Sequence, residues 1–153
     1  MAVKKSQSGS LLLKELTGNL KYLVLKTRQQ MEDALDFLDS YHKSMPDSIR
    51  IREDYIDNLK GIIQHKCYAR ILKASPNETY AINLLGALNT VTSNLERIGD
   101  FAVNIMQQSG YFYDIAFIKR FNYLASFKVI FSALVFVVTG FIRGDTLMAF
   151  AIC

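Results

Sequence analysis

Across residues 11–43, apolar side chains recur every three or four positions, at Leu16, Leu20, Leu23, Met31, Leu35 and Leu38, with charged residues in the gaps. That period lays them along one side of a long helix whose other side faces water. The stretch SMPDS, residues 44–48, interrupts the pattern with a proline and several side-chain oxygens, which favour a turn and cap the helix that follows. A second helix is predicted over about residues 47–73, with Ile49, Ile56, Leu59, Ile63 and Ile71 turned inward. SPNE, residues 75–78, then has the form of a helix start: Ser75 as N-cap, Pro76 in the first helical position and Glu78 closing a capping box. The third helix carries Leu84, Leu88, Val91, Leu95, Ile98, Ala102 and Ile105 on one face and runs to Ser109 and Gly110, where glycine can form a left-handed C-cap. A fourth helix is expected over about residues 115–142, broken at the Arg-Gly-Asp of residues 143–145. Long helices joined by such short turns must lie antiparallel. The predicted fold is therefore all-α, an elongated antiparallel three-helix bundle with an additional C-terminal hydrophobic helix. Residues 1–9 read as a flexible N-terminal tail, 10–110 as the bundle and 111–153 as a further unit.

Composition narrows the function. Of 153 residues, 50% are hydrophobic and 21% charged, enough for one domain with a real core, and only two prolines and eight glycines are present to turn the backbone. The formal charge is +4 and the pI about 9.1, but the basic residues are scattered apart from Lys4 and Lys5. Without a basic stripe interleaved with aromatics, no nucleic-acid partner is expected. Cys67 and Cys153 form neither a metal-ligand spacing nor a disulfide framework, which fits a reducing cytoplasm. Leu11 to Leu13 run straight into Lys14 and Glu15, so no secretory signal is read there. The most apolar run, residues 129–142 between Lys128 and Arg143, is short for a bilayer span and reads as a core or interface helix.

The candidate chemistry lies on the third helix. In NLERIGDFAVNI, residues 94–105, Glu96, Asp100 and Asn104 follow at intervals of four. With Asn89 and Ser93 they fall within a sector of about 80° beside the apolar stripe, and no lysine or arginine of that helix shares it. Like charges one turn apart cost a few tenths of a kcal/mol, more when partly desolvated, so a cation should compensate them. Glu53 and Asp57 stand in the same relation to the apolar face of the second helix, and antiparallel packing about the turn near Pro76 would bring the two pairs to one level. Four carboxylates with amide and hydroxyl oxygens nearby, and no sulfur or imidazole, suit Mg²⁺, Ca²⁺, Mn²⁺ or iron better than zinc. The alternative is that Arg52 and Arg97 answer these charges in surface ion pairs worth about 0–1 kcal/mol. Residue chemistry alone leaves the two readings level.

The same segment closely resembles the signature of the PhoU family, Leu-Glu-Arg-Ile-Gly-Asp-His-Ala-x-x-Ile. IREDYIDNL, residues 51–59, resembles the family's helix-two segment, in which an acidic residue precedes Ile-Asp by three positions. The resemblance spans about residues 20–108 as one complete repeat, and residues 111–153 look like the first helix of a truncated second PhoU-like repeat. It implies a cytoplasmic regulator of phosphate uptake, peripheral to the membrane, that contacts a phosphate transporter and a sensor kinase at the inner membrane face. The family's acidic motifs hold multinuclear metal clusters. Carried over, Glu53, Asp57, Glu96, Asp100 and Asn104 become the metal ligands, with iron, manganese or magnesium as the expected ion and zinc less suited. The apolar fourth helix implies a homo-oligomer or membrane contact. Phe101 stands where the family often has histidine and Lys60 where an acidic residue is frequent, departures that imply fewer metals, or none.

Catalysis is not expected. A carboxylate-bridged di-iron site needs Glu-x-x-His pairs on two helices, and the nearest match is Asp39-x-x-His42 at a helix end, with His65 lacking an acidic partner three residues before it. There is no Ser/His/Asp set and no phosphate-cradling glycine loop. The alternatives are the regulatory domain of a sodium/phosphate cotransporter or a helical interaction module without metal.

Overall fold

The computed structural model describes residues 2–40, 46–111, 115–145 and 147. Among these the chain is helical throughout: α1 (Ala2–Ser40), α2 (Asp47–Ile71), α3 (Thr79–Ser109), a single turn α4 (Ile115–Ile118) and α5 (Tyr123–Arg143). The first three pack against one another as an antiparallel bundle, and α5 lies against α1. At 1.5 Å per residue, the 39 residues of α1 give the bundle a length of roughly 58 Å.

The inward residues of α1 and α2 follow the apolar period, with Leu16, Leu20, Leu23, Met31, Ile49, Ile56, Leu59 and Ile63 all buried. The core forms two clusters along the bundle. One gathers the middle of α1 with Ile56, Ile63, Leu88, Leu95 and Leu134. The other gathers Met31, Phe37, Ile49, Val103, Met106 and Phe127. Between them, buried polar side chains fix register: the Thr27 hydroxyl donates to the Leu95 carbonyl at 3.2 Å, and Gln30 Nε2 donates to the Ile49 carbonyl at 3.3 Å. Neither hydrogen bond survives a slip of one helix past another, and each buried polar group would then stand unpaired. Cys67 is buried, and burial pushes its thiol up to about 11, so it stays protonated within the core.

Several local expectations change. The segment read as a flexible tail, residues 1–9, is helical from Ala2 onward, because it contains no proline and extending an existing helix costs far less than nucleating one. Pro46 is the N-cap of α2 and supplies no side-chain hydrogen bond, while Ser44 lies outside the described residues. Ser75 does not cap α3. Its N–H and hydroxyl both donate to Glu78 Oε2, at 2.8 and 3.2 Å, which closes a turn ahead of a helix that begins at Thr79 with Glu78 as N-cap. The Ser75 N–H and then the Arg70 guanidinium hold the Glu78 carboxyl down to about 2. Gly110 ends α3 in a right-handed conformation, not the left-handed one expected, and Gly144 at φ 62° supplies the left-handed cap instead, closing α5 with the Asp145 N–H on the Gly140 carbonyl at 3.0 Å. The expected fourth helix is divided into α4 and α5, since Asn122 accepts from the Ala125 N–H and starts a new helix.

On α3 the buried line is Leu85, Leu88, Thr92, Leu95, Gly99, Ala102, Val103 and Met106. The expected Leu84, Val91, Ile98 and Ile105 lie only partly buried to one side of it. Ile98 and Ile105 line a groove of about 560 Å³ between α3 and α5, with Met31 of α1 among its other residues. The described part of α5 is long and apolar enough to cross a membrane by length and composition: Tyr123–Phe141 spans 19 residues at mean hydropathy 2.1, yet only 17% of that window is buried. Its low burial sets it apart from an enclosed core helix.

Candidate metal centre

Where α2 and α3 run side by side, their polar positions meet rung by rung. Nearest the connecting turn, Asn89 Nδ2 donates to the Tyr68 hydroxyl at 3.0 Å. One turn further, Gln64 Nε2 donates to the Ser93 hydroxyl at 3.0 Å. At the third rung, Lys60 Nζ donates to Glu96 Oε1 at 2.5 Å. Each of these rungs has a donor opposite an acceptor. The next brings Asp57 toward Asp100, and there the donors run out.

At that level Asp57, Glu96 and Asp100 each place a carboxylate oxygen within 4.8 Å of the others. Glu53 extends the patch by one turn of α2. Burial, and then the charges of Asp100, Asp57 and Asp54, raise its carboxyl above the ordinary range. Asp100 is raised in the same way, first by burial and then by Glu96 and Asp57, with Lys60 acting against the rise. Asn104 is exposed and lines the groove beside α5 together with Phe101 and Gln108.

The helices come close here because of Gly99, which stands between Glu96 and Asp100 and packs on Ile56, the buried residue between Glu53 and Asp57. A Cβ on Gly99 would lie 3.3 Å from Ile56 Cδ1. The glycine of the acidic motif is therefore in close contact with the helix that carries the other carboxylate pair.

Neither arginine of the alternative reading answers these charges. Arg52 turns to α1, where it pairs with Asp33 and donates to Gln30 Oε1. Arg97 is exposed and forms no ion pair among the described residues. The cation that reaches the stripe is Lys60, from the opposite helix. Tyr68, Gln64 and Lys60 were legible as one side of α2, since they continue the Glu53 and Asp57 positions at helical spacing.

The donor set fits a hard cation. Oxygens bound to one Mg²⁺, Mn²⁺ or Ca²⁺ at roughly 2.0–2.6 Å can be no more than about 4–5 Å apart. The oxygens of Asp57, Glu96 and Asp100, within 4.8 Å of one another, lie inside the wider end of that limit, and a smaller ion would draw them closer. No thiolate or imidazole joins them, which disfavours zinc.

The raised carboxyls fix the sign of a pH effect. A carboxyl whose folded pKa exceeds its unfolded value costs nothing while both states are protonated, and its cost grows as pH rises from the ordinary carboxylate range through the raised value. In chelator, Asp100→Asn is expected to unfold at higher urea than the wild type at pH 7, by about 0.5 kcal/mol, and to match it near pH 3. Equal stability at both pH values would show that the repulsion is already screened by water.

An elongated antiparallel three-helix bundle carrying two acidic i, i+4 pairs across one helix seam defines the class: an all-helical domain with an acidic seam. The family model for the PhoU domain matches residues 23–109, over half of the chain, and the chain belongs to that family. Comparison with curated proteins and with solved structures finds no match.

Proposed function

We propose that this chain is a PhoU-type regulator of phosphate uptake, binding metal at the α2/α3 seam and acting through protein contacts with a phosphate transporter and a sensor kinase at the cytoplasmic face of the membrane. One observation carries the metal reading: at the family's motif positions, the one rung of the seam that sets acceptor against acceptor is also where three carboxylates from two helices come within 4.8 Å. Glu53, Asp57, Glu96 and Asp100 would hold the ion, with Asn104 one turn beyond. Iron, manganese or magnesium suits these donors. When bound, such an ion supplies positive charge that offsets the repulsion and cross-links α2 to α3. The helices themselves do the rest, presenting an ordered acidic face to a partner.

The exposed apolar length of α5 supports a position next to the membrane, or against a second copy of the chain, through residues such as Val129 and Val135, which are 69% and 49% exposed. It also favours, as a second reading, a helical interaction module that works without metal.

The test is elemental analysis and Mn²⁺ binding by the full chain and by the double variant Glu96→Ala/Asp100→Ala. The wild type is expected to carry metal, and the variant to lose it while retaining its helical circular dichroism. If both chains are metal-free after reconstitution, the metal reading is wrong and the interaction module stands. Capture of the transporter or the kinase from membranes would support the regulatory assignment.

A further inference from the structure

We infer that Lys60 is a resident counter-ion of the acidic rung that a metal ion must displace, so that this lysine sets the cation concentration at which the rung fills. The inference rests on the metal reading proposed above and names what regulates that site.

Lys60 follows Asp57 by three residues on the same side of α2, and its ammonium crosses to α3 to meet Glu96 Oε1 at 2.5 Å. Glu96 is itself one of the three residues whose oxygens converge. The ammonium thus sits at the edge of the cluster, not in a separate surface pair. Both side chains are largely covered, 29% exposed for Lys60 and 13% for Glu96. Among the described residues, no other basic side chain forms an ion pair with Asp57, Glu96 or Asp100.

An ammonium is a compact single charge with three donors. It relieves part of the repulsion among the carboxylates but offers no ligand to a metal. A dication drawing in Asp57, Glu96 and Asp100 would compete with Lys60 for the Glu96 carboxylate and would lie within several ångströms of the ammonium charge. The two cations therefore compete. The four-carbon stem of Lys60 is flexible, and its partial exposure gives the head group a way into water without disturbing α2. The bundle then has two closed forms, one closed by lysine and one by metal, with Glu96 as the ligand they share. Metal binding frees an ammonium on the outer face of α2, which gives the partner-facing surface a different charge pattern in each form.

The measurement is Mn²⁺ titration and thermal unfolding of the full chain, as wild type, Lys60→Gln and Lys60→Arg. In chelator, Lys60→Gln is expected to unfold roughly 3 °C below the wild type, having lost its counter-ion. Its Mn²⁺ affinity should rise at least about tenfold, as expected when one positive charge leaves the vicinity of the ion at a partly solvated site. Lys60→Arg keeps the charge and should bind Mn²⁺ as the wild type does. A merely structural lysine would lower stability without tightening binding. Equal Mn²⁺ affinity in the wild type and Lys60→Gln, or weaker binding in Lys60→Gln, overturns the counter-ion role and leaves the metal reading intact. Binding by neither chain removes the metal reading and this inference with it.

Discussion

Replacing Gly99 by leucine is expected to destabilise the bundle by about 2 kcal/mol and to drive its two acidic pairs apart. At this position a Cβ already meets Ile56 Cδ1 at 3.3 Å, and Ile56 is only 2% exposed. An added methyl can be absorbed, because the atom it touches is the end of a side chain, and alanine gains up to about 1 kcal/mol of helix propensity over glycine. Gly99→Ala should therefore be near neutral. A leucine needs room for three further carbons between packed helices, and overpacking of that kind costs about 1–3 kcal/mol. Urea unfolding at pH 7 measures the cost. The same variant should let the Glu53 and Asp100 carboxyls relax toward ordinary values, read by carbon-detected NMR titration, because both are raised by burial and by charges across the seam. A leucine variant as stable as the wild type, with unchanged titration, would mean that α2 and α3 do not touch at this level.

Leu134→Ala should cost about 2–4 kcal/mol and release α5 from the bundle. Leu134 is 1% exposed and belongs to the same core cluster as Leu16, Leu20 and Leu23 of α1, so its loss leaves a cavity where α5 packs against α1. The neighbouring Val135 is 49% exposed, and Val135→Ala should change stability by less than about 0.5 kcal/mol. Amide hydrogen exchange distinguishes local release from global unfolding, since protection should fall in α5 before it falls in α2 and α3. If the two substitutions had equal effects, α5 would not be docked through Leu134.

Much of this architecture could be read before the coordinates, and the exceptions have identifiable causes. The inward faces of α1 and α2 were legible because Leu16, Leu20, Leu23, Ile49, Ile56 and Ile63 keep helical spacing with little ambiguity. The buried line of α3 was harder, since it passes through Thr92 and Gly99, which no hydrophobic pattern selects. Gly99 is buried by its contact with Ile56 of the neighbouring helix, which spacing along α3 does not reveal. The reach of the Glu78 carboxylate back to the Ser75 N–H was foreseen, but the Ser75 hydroxyl does not cap the helix, which starts later, at Thr79. The Glu78 carboxylate is shared with Arg70, a residue of the preceding helix that spacing within SPNE does not reveal. The division between α4 and α5 turned on a single side-chain oxygen of Asn122. At the acidic seam, sequence located the carboxylates, but the ion pair between Lys60 and Glu96 was not foreseen and Arg52 turned elsewhere. Whether Arg52 turned toward Asp57 or toward Asp33 depended on how α1 was seated, a long-range fact that spacing along α2 does not contain.

That choice by Arg52 reaches beyond one ion pair. Together with Gln30 it fastens α2 to α1 on one side of the acidic rung, while Lys60, Gln64 and Tyr68 fasten α2 to α3 on the other. Crowded like charges on paired helices usually find release by fraying at an end. Here both neighbouring stretches are bolted, so the repulsion stays lodged in the middle of the seam, where Lys60 offsets part of it and the raised Glu53 and Asp100 carboxyls tie the remainder to acidity.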